Sequence, residues 1–388
     1  MATTTPNFGW SVPTSSDLLK NGATAIETLG DSIDASLVDL KGGTTGQVLA
    51  KASNTDMDFT WSAGASVPTS LGYAAGKNKI INGDFKVWQR GSSFSGTNQL
   101  VYTADRWLLN DFGGQVSNVA RSTFTPGTAP VAGYEGEYYA TWSRAAAGTS
   151  TSYFTQKIED VRTFANQTVT LSFWAKASAS ETVGVYLGQI FGSGGSSAVY
   201  TSVTDIAITT SWVRYTTSFT LASIAGKTIG TSSFLDLTFQ ATTAQGGFAI
   251  DIWGVQLEAG STATAFQTAT GTIQGELAAC QRYYYRVTNP NSTSDAMMPT
   301  GFAIATTQAN MWFNAAVSMR VTPTSVESAN IRFYDGVNVF TPTISLSAGS
   351  EKIFGIAGVT SGLTQFRPYY AIAATGVNAS YIGWSAEL

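Results

Sequence analysis

The nonapeptide VTLSFWAKA, residues 169–177, decides the fold class. Val169, Leu171, Phe173 and Ala175 fall on one side of an extended chain, and Thr170, Ser172, Trp174 and Lys176 on the other. That two-residue period belongs to a strand with one face in a core and the other outside it. TVGVYLGQI (182–190) repeats it, with Val183, Val185 and Leu187 opposite Tyr186, and WVRYTTSFTL (212–221) sets Val213, Tyr215, Phe219 and Leu221 inward. Strands of this kind, divided by turns of Gly, Ser, Thr and Asn, run from Lys77 to the end of the chain. They predict a mainly β protein, with a jelly-roll β-sandwich over 78–268 and a C-terminal β-sandwich over 269–388, where Pro323, Pro342 and Pro368 keep to edges and turns.

The residues before Lys77 read differently. Pro6 and Pro13 oppose helix, while Phe8 and Trp10 are available to anchor an extended arm. Thr14 to Asp17 fit the capping box [ST]-x-x-[DE], so a helix is expected to start there. Leu19, Ile26, Ile33 and Leu40 recur every seven residues, with Leu29 and Leu37 beside them, which gives a helix of roughly 25 residues one apolar stripe. No neighbouring segment offers a second helix, and Gly22 and Gly30 each cost about 1 kcal/mol relative to Ala. With Ile at the repeating position, the stripe predicts a short parallel trimeric coiled coil joined through Leu19, Ile26, Leu29, Ile33, Leu37 and Leu40.

KGGTTGQVLAK (41–51) has the glycines and lysine of a phosphate cradle but not their spacing. The G-x-x-x-x-G-K-[ST] loop needs lysine directly after the second glycine, whereas Gly46 is followed by Gln47 and a helical pattern precedes the run. The stretch reads instead as a joint. Gly42 and Gly43 supply left-handed conformations that end the helix, and GQVLAKAS and MDFTWSA pair as a hairpin across Asn54, Thr55 and Asp56. The pentapeptide SVPTS occurs at 11–15 and again at 66–70, too short a match to establish duplication.

Composition excludes several functions. Charged residues are 12% of the 388, about half the usual share, so uncharged polar groups must cover the surface. A net charge of −4 without Lys/Arg clusters argues against a broad grip on nucleic acid or anionic lipid. The absence of histidine removes the usual general base, the Ser/His/Asp triad and the commonest metal ligand. Cys280 has no partner for a disulfide within the chain. With neither a signal-peptide pattern nor a run of about 18 apolar residues, export by that route and membrane insertion are not expected.

GTTGQVLAKASNTDMDFTW (43–61), KIINGDFKVWQRG (79–91) with YTADRW (102–107), GVQLEAGSTATAF (254–266) followed by CQRYYYR (280–286), and the closing IGWSAEL (382–388) together resemble tail-fibre proteins of tailed bacteriophages. The resemblance implies a homotrimeric virion protein. Residues 1–41 would attach it to a phage tail or baseplate protein and 42–77 would connect. The domain 78–268 is similar to carbohydrate-binding jelly rolls, opened by a strand at NGDF and closed by FAIDIWGVQLE. The tip at 269–388 would meet a host-surface polysaccharide or other outer-surface receptor. In such jelly rolls a carboxylate after the opening Phe often helps hold calcium. Here that position is Lys86; Asp84 and Asp251 remain as oxygen donors, and neither a metal nor another cofactor is expected.

Sugars stack their C–H faces on aromatic rings and give their hydroxyls to polar neighbours. Trp174 and Tyr186, outward on strands expected to be near neighbours, with Lys176 alongside, are therefore glycan candidates in the jelly roll. Trp312, Tyr334, Asp335, Tyr369, Tyr370 and Tyr381 are receptor candidates in the C-terminal block. Trp88, Trp107, Trp142, Trp212 and Trp253 read as core, and CQRYYYR as a strand, amphipathic on both faces, suited to a seam between domains or subunits. Polysaccharide cleavage would need two facing carboxylates, for which Asp56/Asp58, Glu135/Glu137 and Glu159/Asp160 are superficial candidates. None of the three suits cleavage, since the first pair belongs to a hairpin, the second to a Gly-flanked loop, and the third would point apart on a strand. A non-enzymatic adhesin is expected, with a structural spacer without direct receptor contact as the alternative and a polysaccharide-cleaving tailspike ranked below it.

Overall fold

The structure, a computed structural model, describes residues 3–16, 18–45, 47–63, 76–131, 134–146, 150–242, 246–289, 296–347, 349–374 and 379–388, with the backbone alone for 97–99, 112–115 and 296–300. It divides into two compact units, Met1–Gly72 and Tyr73–Leu388. The second SVPTS lies outside the described residues.

In the first unit, β1 (Thr3–Thr4) pairs with β2 (Ser11–Val12). Phe8 and Trp10 stack with ring centroids 4.9 Å apart, and the Trp10 indole N–H donates to Ser36 Oγ at 3.0 Å, so the arm is anchored on the helix. Helix α1 spans Gly22–Leu37, with a 3₁₀ turn at each end, Leu19–Asn21 and Val38–Leu40. The start at Thr14 is corrected. Leu18 is extended, Thr14 Oγ1 bonds to Ser16 Oγ at 2.9 Å, and Asn21 caps the helix without a side-chain bond; Asp17 lies outside the described residues. α1 buries none of its residues: Leu19 is 99% and Ile26 65% exposed, with Leu37 and Leu40 also exposed and Leu29 and Ile33 half-buried. Gly42 (φ 103°) and Gly43 (φ 85°) follow, and a Cβ on Gly43 would stand 2.7 Å from the Trp61 ring. Strands β3 (Gln47–Lys51) and β4 (Phe59–Ala63) then form the expected hairpin.

The second unit opens with a jelly roll built from β5 (Ser93–Tyr102), β6 (Trp107–Thr123), β7 (Tyr138–Arg144), β8 (Ser152–Glu159), β9 (Thr168–Ala177), β10 (Glu181–Ile190), β11 (Val199–Tyr200), β12 (Thr204–Ile208), β13 (Val213–Thr220), β14 (Phe234–Ala241) and β15 (Phe248–Ala259). Strand β6 serves both layers: Trp107–Asp111 pair with β8, and Ser117–Thr123 with β7. One layer runs β10-β14-β8-β6, with β11 and β12 on the edge of β10; the other runs β6-β7-β15-β9-β13. Between them lie Trp107, Trp142, Phe154, Phe173 and Phe239, and Phe173 of one layer meets Phe239 of the other edge-on at 5.0 Å. The NGDF stretch is a turn and not the expected strand, because Asn82 and Phe85 are left-handed (φ 57° and 54°) and the Asn82 amide bonds to the backbone of Val87 and Asp105.

After the jelly roll, α2 (Ile273–Gln281) is capped by Thr272, which accepts from Gly275 N–H. CQRYYYR is therefore not one strand: Cys280 and Gln281 end α2, and only its last three residues lie in β16 (Tyr284–Asn289). Strands β17 (Ala296–Ala305), β18 (Gln308–Asn314), β19 (Ser325–Ala329), β20 (Ile331–Tyr334), β21 (Val339–Phe340), β22 (Thr343–Ser347), β23 (Ile353–Val359), β24 (Pro368–Ala373) and β25 (Ser380–Ser385) complete the chain. They form a three-stranded sheet, β16-β25-β19, and a seven-stranded sheet, β21-β20-β24-β17-β18-β23-β22, around Met311, Phe313, Phe354, Tyr369 and Trp384.

The seam between these two parts is charged and buried. Glu387, 5% exposed, pairs with Arg106 and, at 3.3 Å, with Arg90. The two guanidiniums lie 3.5 Å from the rings of Tyr283 and Tyr284 respectively. Arg282 meets Glu159 at 3.0 Å, a pair that is more exposed than the one at Glu387. Replacing Glu387 with Ala leaves two buried guanidiniums without their carboxylate and should lower unfolding stability by about 3 kcal/mol. Denaturant unfolding at neutral pH measures this, and a midpoint equal to that of the parent would show the seam to be dispensable.

Candidate functional site

The outer face of β10-β14-β8-β6 presents three cross-strand rows. The middle row is Tyr186, Thr238, Thr155 and Leu108. On one side lie Asp205, Gly184, Gln240, Tyr153 and Asn110, and on the other Tyr200, Gly188, Asp236 and Lys157. Residues directly opposite across antiparallel strands share a face, so these side chains converge. Gly184 and Gly188, two positions either side of Tyr186, admit side chains from the edge of the sheet, and a Cβ on Gly184 would stand 2.8 Å from Val203 Cγ1. Tyr200 occupies the space above Gly188, where a Cβ would stand 2.7 Å from its ring, and meets the Tyr186 ring edge-on at 6.0 Å. The result is a shallow tyrosine-flanked trough in which Thr238, Thr155 and Leu108 of the middle row are buried and Tyr186, Tyr153, Asn110, Asp236 and Gln240 are half-buried. Such a mixture suits a ligand with apolar faces and a hydroxyl rim.

Two floor acceptors are unfilled. Asp236 Oδ1 and Asn110 Oδ1 are buried without a hydrogen-bond partner among the described residues. Asp236 Oδ2 accepts from Thr238 Oγ1 at 3.0 Å. Burial pushes the Asp236 carboxyl up to about 6, against the smaller opposing effects of the Thr238 bond and of Lys157. Lys157 is itself held below the usual lysine range by burial, and its ammonium donates to the Leu388 carbonyl, closing that end of the row. Burial also pushes the Tyr186 phenol up to about 12, which keeps it a neutral hydrogen-bonding group at physiological pH. Buried acceptors of this kind are ordinarily met by water or by a ligand donor.

Of the residues singled out in the jelly roll, only Tyr186 lies in the trough. The expected adjacency of Trp174 and Tyr186 is corrected: β9 and β10 follow each other in the chain but belong to different layers. Trp174 is 8% exposed, packed against Trp253 at 5.5 Å and Phe266 at 6.1 Å under the segment that carries Phe266. Lys176, on the same outer face, pairs with Asp251 at 3.5 Å and lies 5.4 Å from the Trp212 ring, which is half-buried and not core. Trp88, Trp107, Trp142 and Trp253 are buried. Tyr153, Tyr200, Asn110, Asp236 and Gln240 were not singled out, although the alternation of SYFTQKIE (152–159) and FLDLTFQA (234–241) carries three of them on one parity.

In the C-terminal domain the candidates separate. Trp312, Tyr334 and Tyr370 share the outer face of the seven-stranded sheet, Trp312 37% and Tyr370 41% exposed. Tyr369 points inward, fully buried, and its hydroxyl accepts from Thr364 N–H at 2.9 Å. Asp335 is 8% exposed and holds a turn by accepting from the N–H groups of Asn338 (2.6 Å) and Val337 (2.9 Å), bonds that keep its carboxyl below the usual range. Tyr381 lies 3.5 Å beneath the Arg286 guanidinium.

The acidic pairs are committed elsewhere. Glu159 binds Arg282 and Tyr283, Asp160 pairs with Arg162, Asp58 takes the Ser53 hydroxyl, and Glu137 pairs with Lys86 at 3.6 Å. Asp84, pushed up to about 6 by burial and then by Glu276, accepts from Tyr134 OH at 3.2 Å and shares a recess of about 300 Å³ with Lys86, Glu135 and Glu137. Asp251 has other partners, Thr141 at 2.6 Å and Lys176. Calcium takes six to eight oxygens. The two carboxylates are not brought together and Lys86 already answers the charge beside Asp84, so these residues do not fit that ion.

Residues 109–243, which begin in β6 and end just past β14, match the model of a family described as a carbohydrate binding domain, a match that covers about a third of the chain and lies within the jelly roll. Among solved structures, the chain is similar to a CBM4 carbohydrate-binding module at 19% identity over 47% of this chain and all of that one, with a TM-score of 0.30. It is similar to the CBM22-1 xylan-binding domain of Paenibacillus barcinonensis Xyn10C at 15% identity over 49% and 98% of the two chains, with a TM-score of 0.28. A third similarity is to tailspike protein 4 of bacteriophage CBA120, at 14% identity over 47% of this chain and 21% of that one, with a TM-score of 0.28. No curated protein matches the chain.

Asp236 offers a pH test of the trough. Its folded carboxyl, near 6, holds a proton more tightly than an ordinary Asp near 3.8, so folding loses stability as pH rises between those values and does not regain it above them. Asp236→Asn should therefore be more stable than the parent at neutral pH, on the order of 1–3 kcal/mol, and no more stable at about pH 3. Thermal unfolding at both pH values decides, and parallel curves for parent and variant would remove the assignment.

Proposed function

We propose that the chain is a glycan-binding adhesin of a tailed-phage fibre, attaching the virion to its host by non-covalent recognition of a surface polysaccharide. The observation that carries this reading is the trough around Tyr186, where tyrosine rings flank unfilled acceptors within the part of the chain that matches the carbohydrate-binding family. Tyr186 and Tyr200 would take the C–H faces of the sugar, and Asp236, Asn110 and Gln240 its hydroxyls. The role is binding and not cleavage. The tail-fibre assignment rests on the motifs shared with such proteins, and it puts the chain on the virion, outside the host cell.

In the same reading α1 associates with two further copies of itself. The helix has no buried residue of its own, and Leu19, Ile26, Leu37 and Leu40 stand exposed along it. A phage tail or baseplate protein would hold the N-terminal end. Three weak glycan sites on one fibre would bind a repetitive polysaccharide far more tightly than one.

Two measurements test the proposal. Tyr186→Ala should weaken binding to immobilised host polysaccharide by about tenfold or more in a folded protein, the loss of one desolvated ring contact. Undiminished labelling of host cells by that variant would place recognition elsewhere, and a parent protein that neither labels cells nor competes with phage adsorption would favour a structural spacer. Sedimentation equilibrium should give three times the chain mass for the parent and the chain mass for Ile26→Asp, because a charge in the apolar stripe stays in water only in the monomer.

A further inference from the structure

The outer face of the seven-stranded sheet carries a second group of aromatic side chains, in a domain outside the carbohydrate-binding match. Phe302 on β17 is 42% exposed and Trp312 on β18 37%, with ring centroids 5.6 Å apart. Pro368 lies directly across from Phe302, and Phe366, 74% exposed, stands on the loop before β24. Gly301, Phe302, Trp312, Phe366 and Pro368 line a recess of about 490 Å³. Phe366 is held in left-handed backbone (φ 64°), which a bulky side chain adopts only where its surroundings enforce it. Here they do. Phe366 N–H donates to the Ala303 carbonyl at 2.7 Å, Arg367 N–H to the Thr364 carbonyl at 3.1 Å, and the Arg367 guanidinium is tied to Asp335.

Amides border the rings. Asn310 is directly across from Phe302, and Gln308 Nε2 donates to Asn310 Oδ1 at 3.0 Å. Among the described residues no charged one lines the recess, and Arg367 beside it is already engaged by Asp335. Five described residues line it, a patch far smaller than the roughly 20–30 residues a side of a stable protein interface, so a second copy of the chain is a poor occupant. A single pyranose ring fits better: it offers an apolar C–H face to Trp312 and Phe302 and hydroxyls to the amides. An uncharged lining favours a neutral sugar over a uronic or sialic acid, whose carboxylate would find no counter-charge.

We propose that this recess is a second glycan site, taking a neutral hexopyranose unit. It stands independently of the trough around Tyr186. The test is fluorine NMR of the full chain labelled with 5-fluorotryptophan, in which the Trp312 resonance is identified by its loss in Trp312→Phe. The probes are cellohexaose, maltohexaose and mannohexaose, with oligogalacturonate as the anionic comparison. The Trp312 resonance should move saturably with at least one neutral hexaose, and about tenfold more weakly in Phe302→Ala, while buried Trp384 of the same domain stays in place. It should move equally in Tyr186→Ala, which separates this site from the trough. The proposal is overturned by a Trp312 resonance that no neutral hexaose moves, that only oligogalacturonate moves, that responds unchanged in Phe302→Ala, that stops responding in Tyr186→Ala, or that follows protein concentration alone, the mark of a second copy.

Discussion

Strand β6 is hydrogen-bonded into both layers of the jelly roll, to β8 through Trp107–Asp111 and to β7 through Ser117–Thr123. The two layers therefore cannot slide past one another without breaking a ladder, and their facing residues are fixed in register. Trp107 locks the start of the strand: it is fully buried against Phe154 at 4.9 Å and Phe85 at 5.0 Å, and its indole N–H donates to the Asn82 carbonyl at 3.1 Å. With Trp107 and Leu109 inward, Leu108 and Asn110 are outward, and the ladders carry that parity through Tyr153 to Gln240 and through Thr155 to Tyr186. The trough is thus a consequence of where β6 begins.

The same reasoning explains what could be read from the residues alone. Alternation shows which side chains share a face of one strand, and in VTLSFWAKA and TVGVYLGQI it set Trp174 and Tyr186 outward, as they are. It does not say which layer a strand joins. Because β9 and β10 pair with different partners, the two rings lie on opposite outer faces, and Trp174 is further covered by Phe266 from a distant part of the chain. Tertiary cover of this kind leaves no mark on a strand's own period. Local dihedral preferences were similarly hidden: Asn82 and Phe85 are left-handed because the Asn82 amide reaches Val87 and Asp105, and so NGDF turns where the resemblance implied a strand. The hairpin and the glycine stop before it were legible because Gly42 and Gly43 announce a positive φ by their identity. The helix start was not, because a capping box lowers the free energy of a helix end without compelling one.

A chain with so few charges must recognise its surroundings through rings, amides and hydroxyls. The charged groups that remain are mostly spent on each other, as Glu159 with Arg282, Asp251 with Lys176 and Glu387 with Arg106. Asp236 departs from that pattern. Its Oδ1 is buried without a donor among the described residues, a condition that lowers stability. A neutral Asn would fit the same space. A carboxylate is the stronger acceptor for hydroxyl donors, which suits the binding role proposed for this face.

The seam at Glu387 gives the two aromatic faces a fixed relation. Arg90 and Arg106 each stack on a tyrosine of the C-terminal part while pairing with Glu387, and Glu276 of α2 accepts from Asn82 N–H at 2.8 Å. These contacts bury charge and therefore tolerate little displacement, since opening the seam would expose ion pairs that are only partly resolvated as they separate. On the proposed reading, two sites on a rigid body would see the same polysaccharide at a set spacing, whereas two sites on a flexible linker would sample many spacings and lose effective concentration with each. A rigid pair is selective for the repeat length of the polymer as well as for the sugar in each site. Loosening the seam should then cost more on a long, regular polysaccharide than on an isolated oligosaccharide that fills one site, even where both domains stay folded.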